Sequence, residues 1–198
     1  MSKVSKEIGS AVVGLSCIKC VEELTALFYR TVAKAFPKEI SLILLSVSNV
    51  YRNNAMLLNY FINNVMKHEV NYSICYRSQF IMKLKDLIDE IKENINNIGL
   101  GHAVGIVKDF ISSKKIDDKI YYVELLVPAL NGVLRVFWSE YNVINKQEFE
   151  IWRNIFSAIA DIDKRYNDML TEILANIYVS EGNGHAGKED NIDGLQLL

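Results

Sequence analysis

In the stretch IADIDKRYNDML, residues 159–170, an aspartate falls where a helix would bury an apolar side chain. Steps of three and four residues lead from Phe156 to Ile159, Asp163, Tyr166 and Leu170, the spacing of one helix face. An unpaired carboxylate removed from water is costly. Asp163 is therefore expected to bond Tyr166 or a tyrosine of another helix, to pair with an arginine such as Arg52 or Arg135, or to hold a metal ion. The stretch CIKC, from Cys17 to Cys20, has the spacing of thiol redox motifs and zinc sites, and a helix N-terminus would lower a thiol pKa. Two core cysteines on one helical face give the same spacing without any chemistry. Zinc needs four ligands, and adding Cys75 and His68 supplies no second close pair. The histidines His68, His102 and His185 are too scattered for a nucleophile–base arrangement.

IADIDKRYNDML also resembles the fourth-helix motif of ferritin-like and rubrerythrin-type proteins, in which a carboxylate and a histidine three residues on project into a four-helix bundle as di-iron or di-manganese ligands. Here Asp163 takes the carboxylate position and Tyr166 the histidine position. The second-helix counterpart is NVYRNNAMLL, with Val50 and Asn53 at the ligand positions. Glu22 or Glu23 and Glu124 match the single carboxylates of the other two helices. The resemblance thus implies Asp163, Glu22, Glu23 and Glu124 as metal candidates, with iron or manganese as cofactor. Such a centre uses about six side chains, more than this set supplies, so the expectation is a lost or incomplete metal site and no cofactor. CIKC is similar to the CxxC of alkylhydroperoxidase D-like enzymes, with Leu24 where those enzymes place a histidine; this makes Cys17 and Cys20 redox candidates.

The elements that must carry these residues read as helices. Cys17, Val21, Leu24, Phe28 and Val32 mark a face of a helix over about 10–36, ended by Pro37. A second helix follows to about Lys67, with Val47, Val50, Asn54, Leu57 and Phe61 on one side. Val70 to Tyr76 reads as a linker or short extended piece. Phe80, Leu84, Leu87, Ile88, Ile91 and Ile95 form the face of a third helix. GLGHAVG is a helix stop and restart, then HAVGIVKDFISS a shorter helix and KKIDDK a charged loop. Residues 120–141 read as a helix kinked near Pro128, or as a strand over 120–127 followed by a helix. The last helix spans about 147–178. Residues 180–198 are expected to form a flexible acidic tail.

Together these give an all-α, antiparallel helical bundle: four long helices plus shorter crossover helices in one domain over residues 1–179, with ferritin-like connectivity implied by the resemblance. Lys and Arg total 22 against 24 Asp and Glu, a net charge of −2, which leaves no basic footprint for nucleic acid. No apolar run approaches the roughly 20 residues of a membrane span, and the start lacks the pattern of a signal peptide. Three cysteines suit a reducing, cytoplasmic setting. The expected role is protein–protein association, with a partner or with itself, and the alternative is an iron or manganese carboxylate oxidoreductase or storage protein.

Overall fold

The structure is a computed structural model and describes residues 3–69, 75, 79–118, 134 and 144–183. Regular structure among the described residues is entirely helical: α1 (Lys3–Val32), α2 (Lys38–Tyr60), α3 (Gln79–Asn94), α4 (Leu100–Asp118) and α5 (Lys146–Asn183). None of these is long and apolar enough to cross a membrane.

Local chemistry sets the boundaries. A 3-10 turn, Ala33–Ala35, leads to Pro37, which precedes α2 and lends its carbonyl to the Ser41 amide at 2.8 Å. Pro37 has no N–H to leave orphaned at this start. The end of α2 widens into a π turn over Phe61–Val65, which is closed by hydrogen bonds from Met66 N–H to Phe61 O and from His68 N–H to Ile62 O. Between them Lys67 takes the left-handed conformation, φ 57°, usual just past a helix end. At the start of α5, Asn145 Oδ1 accepts the Glu148 amide at 2.9 Å and Glu148 Oε2 accepts the Asn145 amide at 2.8 Å, a reciprocal capping box. Gly99 begins the restart at α4, its carbonyl bonded to the Ala103 amide.

Several boundaries differ from those expected. KKIDDK is largely helical: α4 continues through Asp118 instead of giving way to a charged loop at Lys114. Helix α1 begins seven residues earlier than residue 10, and α5 runs to Asn183, so the first residues of the expected tail are helical. Residues 184–198, the 120–127 helix-or-strand alternative, Pro128 and Glu124 lie outside the described residues, as does the expected linker apart from Cys75.

Helices α1 and α2 run in opposite directions, since Ser48 Oγ donates to Ala26 O while Asn54 Nδ2 donates to Glu22 Oε2. Apart from a small cluster of Cys17, Cys20, Cys75 and Ile81, their apolar side chains separate into two clusters. One joins Phe28, Tyr29 and Val32 of α1 to Val47 of α2, Ile88 of α3, Phe110 of α4 and Leu174 of α5. The other joins Leu15 and Ile18 of α1 to Leu58 of α2, Phe61 and Ile62 of the π turn, and Trp152 and Phe156 of α5. Burial of this apolar surface, worth about 25 cal/mol per Å², holds the helices together; between the clusters the chain places polar side chains.

Candidate functional site

The polar layer is built where each helix stripe passes from one apolar cluster to the other. Along α1 the sequence of buried residues runs Ile18, Glu22, Thr25, Phe28; along α2 it runs Leu58, Asn54, Tyr51, Val47; along α5 it runs Ile159, Asp163, Asn167, Leu170. On α4, Ala103, Val107, Phe110 and Lys114 follow one another at three- and four-residue steps, so the stripe that buries the phenylalanine also buries the lysine. Four helices therefore converge with a carboxyl from α1, a phenol and an amide from α2, an ammonium from α4 and a carboxyl from α5. Glu22, Lys114 and Asp163 have relative exposures of 0%, 1% and 3%, out of reach of bulk solvent.

Lys114 Nζ donates to Tyr51 Oη at 2.8 Å and to Asp163 Oδ2 at 3.5 Å, and lies 3.9 Å from the centre of the Tyr51 ring. Asn54 Nδ2 bridges the two carboxyls, 3.2 Å from Glu22 Oε2 and 3.5 Å from Asp163 Oδ1. Burial pushes the Asp163 carboxyl above its ordinary value; the Lys114 charge and hydrogen bonds from Glu22 and Lys114 pull it back without cancelling the rise. The Lys114 ammonium and the Asn54 amide thus stand against the two carboxyls, as buried charge requires a partner.

Of the expected metal residues, Glu22 and Asp163 meet in this layer. Glu23 faces outward, half-exposed, and binds Lys19 at 2.7 Å. Glu124 lies outside the described residues. On α2 the inward positions are Tyr51 and Asn54 and not Val50 and Asn53, for Asn53 is exposed and Val50 only partly buried. Tyr166 packs at the edge of the first apolar cluster. The burial of Asp163 is as expected from its stripe, but its cationic partner is Lys114; Arg52 is exposed and Arg135 lies outside the described residues.

The iron or manganese centre implied by the resemblance does not fit this donor set. Such a centre draws on four glutamates and two histidines, whereas here an ammonium stands against one of two carboxyls, and the described residues hold no group of three or more metal-ligating side chains.

The cysteines take a different arrangement from a CxxC pair. Cys17 is disulfide-bonded to Cys75, 58 residues away, and Cys20 is a free buried thiol in the same apolar cluster. Burial pushes the Cys20 thiol up, Glu23 adds to the rise, and Lys19 and Lys85 oppose it. A raised value is the reverse of what an attacking thiol requires.

On the outside, α2 presents Met56 and Tyr60 at 62% and 56% exposure, with Leu57 between them. Tyr60 stacks on Trp152 at 6.1 Å, which brings the neighbouring exposed Ile151 of α5 to the same end of the molecule. A groove of about 420 Å³ adjoins this patch, lined by Lys19, Glu23, Arg52, Met56, Asn59 and Tyr60 among others. Comparisons with protein families, curated proteins and solved structures find no match to this chain.

Proposed function

We propose that this chain is a non-catalytic helical bundle that works by protein–protein association, with an internal ion pair in the place of a metal centre. The observation that carries the proposal is the exposed run of Met56, Leu57 and Tyr60 on α2 beside a mixed groove; large apolar side chains gathered at one place on a surface mark a contact region. Methionine and tyrosine suit that role, one adapting its shape and the other offering a rigid face with a polar tip. The partner is another protein or a second copy of the chain.

Support for an antiparallel arrangement comes from the opposite run of α1 and α2 and from the polar layer, into which α1 sends Glu22 and Thr25, α2 Tyr51 and Asn54, α4 Lys114, and α5 Asp163 and Asn167. Ferritin-like centres draw single glutamates from two helices and Glu-x-x-His pairs from the other two. One observation speaks for the metal alternative, the approach of Glu22 to Asp163 through Asn54; the ammonium beside them speaks against it.

The test is sedimentation velocity over a concentration series, together with pull-down of partners from the source cell, on the parent chain and on Met56→Glu. The expected result is a species larger than one chain, or a specifically retained protein, that the substitution weakens at least tenfold. A parent chain that stays monomeric and retains nothing, or a Met56→Glu variant that behaves like the parent, would contradict the proposal.

A further inference from the structure

We infer that the groove between α1 and α2 receives an acidic, amphipathic segment of a partner protein, which sets a carboxylate on Arg52 and apolar side chains against Met56 and Tyr60. The inference rests on the association proposal and names the chemistry of the partner. Arg52, Met56 and Tyr60 follow one another at four-residue steps along α2 and are all exposed, so they share one outward face. Lys19 and Glu23, four residues apart on α1, line the other side of the same groove.

The charges along the groove are unequal. Glu23 Oε1 already has the Lys19 ammonium at 2.7 Å. Arg52 is exposed, and among the described residues it pairs with no carboxylate. An anion entering the groove therefore gains a cation, whereas an entering cation meets the guanidinium as a like charge. A guanidinium takes a carboxylate through two parallel N–H donors, which fixes orientation as well as charge. One turn further on, Met56 supplies an adaptable apolar contact and Tyr60 a rigid face with a polar tip. Arginine, tyrosine and methionine are the types that protein contacts concentrate. Asn64 Nδ2 donates to the Tyr60 carbonyl at 3.2 Å, and Asn59 brings a second amide to the groove, able to bond the polar groups of a bound segment.

The experiment is to select a phage-displayed library of random dodecapeptides on the parent chain and, in parallel, on Arg52→Glu. The leading peptide is then measured by fluorescence anisotropy on both and on Met56→Ala. The expected result is that peptides enriched on the parent carry Asp or Glu beside Leu, Ile or Phe. Their binding should weaken at least tenfold on Arg52→Glu and at least threefold on Met56→Ala, and should fall with added salt. Selection on Arg52→Glu should favour Lys or Arg instead. No enrichment on the parent, enrichment without acidic residues, or equal binding by Arg52→Glu overturns the inference. Enriched peptides that lack acids but still lose affinity on Met56→Ala overturn the charge assignment alone and leave the association reading standing. A parent that enriches nothing and stays monomeric contradicts both. Self-association of the parent that is lost in Arg52→Glu, with no peptide enriched, places a second copy of the chain in the groove and overturns the choice of partner.

Discussion

Lys114 Nζ lies 3.5 Å from Asp163 Oδ2 with both side chains sealed between two apolar clusters. The pair connects α4 to α5 through charge, beside interhelical contacts made by packing and by buried hydrogen bonds. Because the same layer holds Glu22, the two members of the pair are not equivalent: the carboxylate has a substitute nearby and the ammonium has none among the residues of the layer.

This inequality predicts asymmetric mutational costs. Lys114→Met should destabilise the chain by about 3–5 kcal/mol, the usual consequence of stripping one partner from a buried pair. Asp163→Asn should cost less, about 1 kcal/mol, because the asparagine keeps the shape and hydrogen-bonding capacity of the side chain and Glu22 stays beside it across Asn54. Adding Asp163→Asn to Lys114→Met should recover part of the loss, a coupling measurable by urea denaturation in a double-mutant cycle. Equal costs for the two single variants would contradict this asymmetry.

A second prediction concerns pH. The Asp163 carboxyl sits above its ordinary value of 3.8 in the folded chain, so the folded state binds this proton more tightly than the unfolded state. Its contribution to stability is fully present below pH 3.8 and is lost as pH rises through the elevated value. Relative to Asp163→Asn, the parent chain should therefore lose stability as pH increases from about 4. Urea midpoints of both proteins across pH 3–8 check this, and a parent that gains on the variant as pH rises would refute it.

The cysteines make a third case. Closing a loop of 58 residues stabilises a chain by about 2–4 kcal/mol in the loop-entropy picture, so Cys75→Ser should lower stability by that amount under non-reducing conditions. Reduction should do the same to the parent. Titration of denatured, unreduced protein with a thiol reagent should find one thiol per chain, that of Cys20. Three thiols would show that the bond does not form.

Lys67 offers a gain in stability. Its φ of 57° suits glycine better than any side chain, and Lys67→Gly should stabilise the chain by about 0.5–1 kcal/mol. A loss in thermal or urea melting would show that the lysine side chain contributes more at this turn than the backbone strain it carries.

Asp163 and Lys114 illustrate how much of the layer was legible in the sequence. Both sit on stripes of three- and four-residue spacing, and the aspartate stood out because apolar residues flank it on both sides. The lysine follows Ala103, Val107 and Phe110 at the same spacing, but it opens the charged run KKIDDK, which reads as solvated. Tyr51 of α2 and Asp163 of α5, both distant in sequence, make a buried lysine there favourable. On α2 the stripe through Val47, Asn54 and Phe61 was legible, but Val50 and Leu57 stood in it where Tyr51 and Leu58 turn inward, since the neighbouring residues are about as apolar. The helical class followed from periodicity. The Cys17–Cys75 bond could not, because three cysteines allow three pairings and spacing does not choose among them.

The proposal that an internal ammonium rather than a metal ion balances the buried carboxyls is tested most directly by elemental analysis by mass spectrometry of untagged protein, purified without chelator and then exposed to Fe(II), Mn(II) or Zn(II) and desalted. The account predicts no stoichiometric metal. About two iron or manganese ions per chain, the loading of a carboxylate-bridged centre, would contradict it and place Asp163 and Glu22 among the ligands.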